Sequence, residues 1–160
     1  MPNYLIRKKL IAVGDDFSVE DEAGEKAFHV DGKVMRLRDT FVIETPEGDE
    51  LVKVQERKLT LRDTMVIERQ GEELATVRKA RLTPLRDKFK IEMANGGELE
   101  AKGDLLDHEF TIEWANGVPL AEVSKKWFSV RDTYGLSVPD GQDPVFALAI
   151  AVCIDAMERG

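Results

Sequence analysis

The chain has 160 residues, 42% of them hydrophobic and 34% charged, which is the length of one domain with room for a full core, expected to span residues 1–160. A formal charge of −8 excludes a dedicated nucleic-acid binder. The single cysteine, Cys153, excludes an intrachain disulfide and fits a reducing cytoplasm.

The chain opens on Met-Pro-Asn-Tyr-Leu-Ile-Arg-Lys-Lys, charged but with no long apolar run behind it, so no signal peptide and a cytoplasmic location are expected. From there a unit recurs at a step of twenty-four residues: Leu37-Arg38-Asp39, Leu61-Arg62-Asp63 and Leu85-Arg86-Asp87, with Asp15 one step before the first. Looser copies follow at Leu106 to Phe110 and Val130 to Tyr134. A fixed period of this size marks one supersecondary unit built several times.

Each unit reads as a hairpin. Asp16-Phe17-Ser18-Val19-Glu20 is followed by a turn at Glu22-Ala23-Gly24 and then Phe28-His29-Val30. Thr40 to Glu44, Pro46-Glu47-Gly48 and Leu51 to Val54 repeat the plan, and later units turn at Gln70-Gly71, Asn95-Gly96-Gly97 and Asn116-Gly117. Asn-Gly between alternating segments predicts a type I′ turn, whose two central residues both take positive φ. Period-two alternation puts Phe17/Val19, Phe41/Ile43, Met65/Ile67, Phe89/Ile91 and Phe110/Ile112 on the inner face, with Phe28/Val30, Val52/Val54, Ala75/Val77 and Ala121/Val123 facing them from the return strands. The phase slips between Val54 and Leu59, where strict alternation would bury Glu56 and Lys58, so a bulge or corner is expected there. Six hairpins make twelve strands, and so long a meander closes on itself to remove its edges.

Residues 78–90 stand out electrostatically. Arg78, Lys79, Arg81, Arg86, Lys88 and Lys90 against Asp87 give this segment +5 and leave −13 for the rest. If Phe89 and Ile91 face inward, Lys88 and Lys90 project outward together, and Arg78 or Lys79 joins them if the chain folds back near Pro84. Lys125-Lys126-Trp127-Phe128 is open to two readings, a cationic and aromatic contact for a headgroup or a strand whose lysines face solvent while Trp127 packs inward.

The last stretch breaks the pattern. Asp143 and Pro144 read as an N-cap and a first helical residue, and Val145 to Ile154 is apolar on every side of the helix expected over residues 143–158. A helix without a polar face is buried all round. A twelve-stranded barrel is too wide for its own side chains to fill, so the expected fold is mainly β: a twelve-stranded closed antiparallel barrel enclosing this helix.

Val123-Ser124-Lys125-Lys126-Trp127-Phe128, then Asp132-Thr133-Tyr134-Gly135 and the apolar C-terminal helix, resemble the LURP-one-related family of the Tubby C-terminal-like superfamily, to which the phospholipid scramblases also belong. Gly14-Asp15-Asp16-Phe17 is similar to the short bacterial members. The resemblance covers essentially the whole chain and implies the same barrel around one hydrophobic helix.

Catalytic and metal signatures are absent from the sequence. His29 and His108 are far apart, with no paired cysteines. Ser18, Ser124, Ser129 and Ser137 lack a nucleophile-elbow context, and the glycines lie in turns. The repeated aspartates read as structural groups accepting backbone N–H bonds at equivalent corners. The expectation is therefore a non-enzymatic binding module with no catalytic residue, metal or cofactor. The resemblance makes an anionic phospholipid headgroup or membrane surface the leading partner, met by Arg78, Lys79, Arg81, Arg86, Lys88, Lys90, Lys125 and Lys126. The alternative is a scaffold or regulatory protein that contacts another protein.

Overall fold

Twelve strands and one helix follow one another in the computed structural model, which describes residues 3–8, 17–32, 40–57, 64–83, 86–105, 107–125 and 133–159. The strands are β1 (Asn3–Lys8), β2 (Phe17–Glu20), β3 (Lys26–Gly32), β4 (Thr40–Glu44), β5 (Glu50–Glu56), β6 (Thr64–Arg69), β7 (Glu72–Thr83), β8 (Arg86–Met93), β9 (Glu98–Asp104), β10 (Glu109–Trp114), β11 (Pro119–Ser124) and β12 (Thr133–Ser137), and the helix is α1 (Pro144–Arg159). Each strand pairs antiparallel with its neighbours in chain order, and β1 closes the ring between β2 and β12. Asn3 to Arg7 run against Ser137 to Thr133, so the first and last strands seal the barrel and leave no open edge.

Alternation along the strands builds the core. Of the eighteen residues assigned to the inner face from sequence, all but Phe28 are buried. Phe28 is half-buried, and its ring lies 5.9 Å from that of Tyr4. The phase slip near Val54 is resolved by ending β5 at Glu56, which is exposed with Arg57; Lys58 lies outside the described residues.

The turn chemistry differs from expectation at both Asn-Gly sites. Gln70 (φ 53°) and Gly71 (φ 82°) form the two-residue turn with both centres left-handed. At Asn95-Gly96 and Asn116-Gly117 only the glycine has positive φ. There Gly96 N–H donates to Met93 O (3.0 Å) and Gly117 N–H to Trp114 O (2.8 Å), giving a three-residue loop with a bulge at the glycine. Each asparagine instead spends its side chain locally: Asn95 Oδ1 accepts from Gly97 N and Asn116 Oδ1 from Val118 N.

The β2–β3, β4–β5, β6–β7, β8–β9 and β10–β11 turns lie at one end of the barrel, the hairpin end, and α1 enters there. Asp143 caps it, Oδ1 accepting from Val145 N (3.0 Å) and Phe146 N (3.3 Å), while Ala147 N donates to Asp143 O. Phe146 through Met157 are at most 8% exposed, so the helix occupies the lumen, as its apolar circumference requires. It is not long and apolar enough to cross a membrane. The repeats at 37–39 and 61–63, with Asp15 and Asp132, lie outside the described residues, and of the third repeat Arg86 and Asp87 open β8 in backbone register with Thr83 and Arg81.

Candidate anion-binding surface

β7 and β8 fold back on one another, and their register sorts the basic segment into two faces. Arg78 lies directly across from Lys90, Lys79 from Phe89, and Ala80 from Lys88. Directly opposed side chains share a face. Phe89 is fully buried, so Lys79 belongs to the inner face with it, while Arg78, Lys88 and Lys90 share the outer wall. Arg81 and Arg86 take part in the backbone ladder, but their side chains, like Lys126, lie outside the described residues.

The wall is a lattice of alternating charge. Arg78 reaches Glu92 (3.3 Å), Lys88 reaches Glu100 (2.8 Å), and Lys102 approaches the same Glu100 from the other side (3.4 Å). The Lys88 ammonium, donating to Glu100, holds that carboxyl below the usual range against desolvation, which works the other way; Lys102 adds to the lowering. Lys90 is exposed, carries no ion pair among the described residues, and borders a shallow depression lined by Ile91, Glu92, Glu98, Leu99 and Glu100. Surface pairs of this kind contribute about 0–1 kcal/mol each, so an incoming phosphate can take over their cations at little cost.

Lys125 stands apart. It is exposed just beyond β11, bonds Asp107 (3.1 Å), and is separated from β8 by β9 and β10. The structure thus brings together Arg78, Lys88 and Lys90, and does not bring Lys79 or Lys125 to them.

Both ends of α1 carry polar anchors that sequence reasoning did not identify. At the hairpin end Arg69 bonds Asp143 (2.9 Å) and Trp114 Nε1 donates to Gln142 (2.9 Å). At the other end His108, left-handed at φ 56°, faces Asp155 across 3.0 Å and stacks on Tyr134 with ring centroids 4.3 Å apart. A carboxylate only accepts, so His108 Nε2 carries the proton, and the bond ties the helix terminus to the β9–β10 connection. Asp155 is the one charged residue in the buried length of α1, which is the signal that could have found this contact. Among the described residues no group of three His, Cys, Asp or Glu side chains is placed to hold a metal ion.

Comparison with known proteins agrees with this architecture. The sequence profile of the LURP-one-related family matches residues 3–155. The chain is 28% identical over 155 residues to the uncharacterized protein YxjI of Bacillus subtilis (strain 168), covering 97% of this chain and 93% of that one. An X-ray structure of a protein from Arabidopsis thaliana superposes with a TM-score of 0.72 at 17% identity, covering 99% of this chain and 92% of that one, and shares the fold.

Proposed function

Starting from the fact that the chain belongs to the LURP-one-related family, we propose that it is a non-enzymatic binding module whose β7–β8 wall meets anionic phospholipid headgroups. Family and fold support a binding-type module, and the lipid assignment rests on one observation: the direct opposition of Arg78 and Lys90 on the outer wall, with Lys88 one step along the same strand. Two guanidinium or ammonium groups at cross-strand distance can share a phosphate, and arginine does so with two parallel N–H bonds. A lumen filled by α1 speaks against a carrier that holds its ligand inside the barrel.

Near an anionic leaflet each such cation contributes about 1 kcal/mol. Flotation with phosphatidylcholine vesicles containing phosphatidylserine tests the reading. Wild-type protein floats at low salt, less as ionic strength rises, and not at all on phosphatidylcholine alone. R78E/K90E abolishes flotation with its melting temperature near that of wild type. Wild-type protein that never floats on the anionic vesicles overturns the lipid reading, and the protein-interaction scaffold takes its place.

A further inference from the structure

A net charge of −8 should repel an anionic membrane, yet the charge is not spread evenly along the barrel axis. The hairpin end comprises residues 20–26, 44–50, 68–73, 92–98, 113–118 and 139–143. These segments hold sixteen carboxylates against two cations, Lys26 and Arg69, a net −14. The remainder of the chain therefore carries +6.

The sign changes within single strands. β8 reads Lys88, Lys90, Glu92 toward the hairpin end; β7, followed in the same direction, goes from Arg78 to Glu73 and Glu72; β5 goes from Lys53 to Glu50, while at its far end Glu56 is offset by the neighbouring Arg57. β9 and β10 do not follow this trend, for Asp104 and Glu109 sit at their far ends. The asymmetry is thus concentrated on the β5–β8 side.

Resting on the lipid-binding reading above, we infer that the barrel docks on an anionic bilayer in one orientation. The end opposite the hairpins leads, on its β5–β8 side, and the acidic hairpin end points away from the membrane. Distance makes this workable. The sixteen residues of α1 run from the hairpin end to the other and span about 24 Å at helical rise. That is about three Debye lengths at physiological salt, where screening acts over roughly 8 Å. The membrane then meets the local positive field, and the −14 is screened from it. Inverted, the same protein is repelled.

Environment-sensitive labels read the orientation directly. Cys153 is fully buried and does not compete for the label in the native protein. Glu56, exposed at the far end of β5, and Glu47, exposed in the β4–β5 turn, are replaced one at a time as E56C and E47C and coupled to a nitrobenzoxadiazole dye. Each is mixed with phosphatidylcholine vesicles containing phosphatidylserine, at low salt and again near physiological salt where screening acts over roughly 8 Å, and vesicle-bound protein is measured in parallel by flotation. The expected result is that both proteins float and that the dye brightens severalfold at position 56 but stays unchanged at position 47. Flotation with equal brightening at both positions, or with brightening at 47 alone, overturns the orientation and leaves lipid binding standing. Failure of both labelled proteins and of unlabelled wild type to float overturns lipid binding and the orientation with it.

Discussion

Gly103 has φ +131° in β9, opposite Phe110, and a Cβ placed on it would lie 2.5 Å from the Glu109 carbonyl oxygen and 2.9 Å from Phe110 Cα. Both are backbone atoms and cannot rotate away. Gly103→Ala is therefore expected to lower stability by about 1–3 kcal/mol, the cost of forcing a side chain into such backbone, as read by urea denaturation; an unchanged midpoint would show that β9 and β10 can part locally without loss. A second prediction at this scale concerns Glu100. Because Lys88 lowers its folded-state pKa, the stabilisation exists above the ordinary carboxylate range and is lost as pH falls through the folded value. Lys88→Met should raise the Glu100 midpoint in a carboxyl-carbon NMR titration, and added salt should shrink the difference between the two proteins, since the pair is only part-buried and open to screening. Individual residues were unevenly legible in the sequence. The inner-face residues could be read because burial at alternate positions is a local rule, and Asp143 could be read because a cap acts on the next two amides. The partners of Arg69 and Trp114 could not, being 74 and 28 residues away and brought close only by barrel closure.

At the scale of elements, α1 couples a local start signal to a global packing role. Asp143→Ala removes the bonds to Val145 N and Phe146 N and the pair with Arg69, and should cost about 0.5–2 kcal/mol, the usual range for a lost cap. Phe146→Ala, one turn further in and next to Trp114, should cost about 3–5 kcal/mol through the cavity it opens. Comparing the two by chemical denaturation separates helix start from lumen filling: equal losses would mean that Phe146 repacks freely and the lumen is loosely filled. The hairpins show where sequence signals stop. Asn-Gly announced turns at the right places, yet gave the wrong turn type, because an asparagine that bonds the amide two residues on stabilises the three-residue loop and leaves positive φ to glycine alone. Gln70, carrying no such preference, adopts the left-handed conformation that the Asn-Gly rule predicted for the asparagines. The basic segment was legible as charge, and alternation with Phe89 and Ile91 put Lys88 and Lys90 on the outer face, but whether Arg78 or Lys79 joins them was not legible. Register with β8 decides that Lys79 shares the side of Phe89 and Arg78 that of Lys90, and register is a property of the strand pair.

Taken whole, the molecule is a ring without an edge around a helix without a polar face, and each makes the other's partial opening costly. Removing α1 leaves inward apolar side chains from twelve strands facing an empty lumen, while parting any two strands exposes ladder groups on both sides. The helix is tied at both ends, by Arg69 and Trp114 where it enters and by His108 where it finishes, so it cannot slide out along the axis without breaking polar contacts as well. Cys153 reports on this arrangement. It lies fully buried in the middle of the plug, and desolvation pushes its thiol far above the ordinary range, so in the closed barrel it is both inaccessible and protonated. Its reaction with a thiol reagent should therefore proceed only through molecules whose barrel has opened. If opening is cooperative, the free energy from labelling at low denaturant will match that from equilibrium unfolding, within the range of about 5–15 kcal/mol usual for such domains. The dependence of the labelling rate on urea should carry the full m-value of global unfolding, because exposing Cys153 exposes the whole core. Labelling that is fast and insensitive to urea would mean that α1 leaves the lumen while the strands stay paired, making the plug a separable part of the fold.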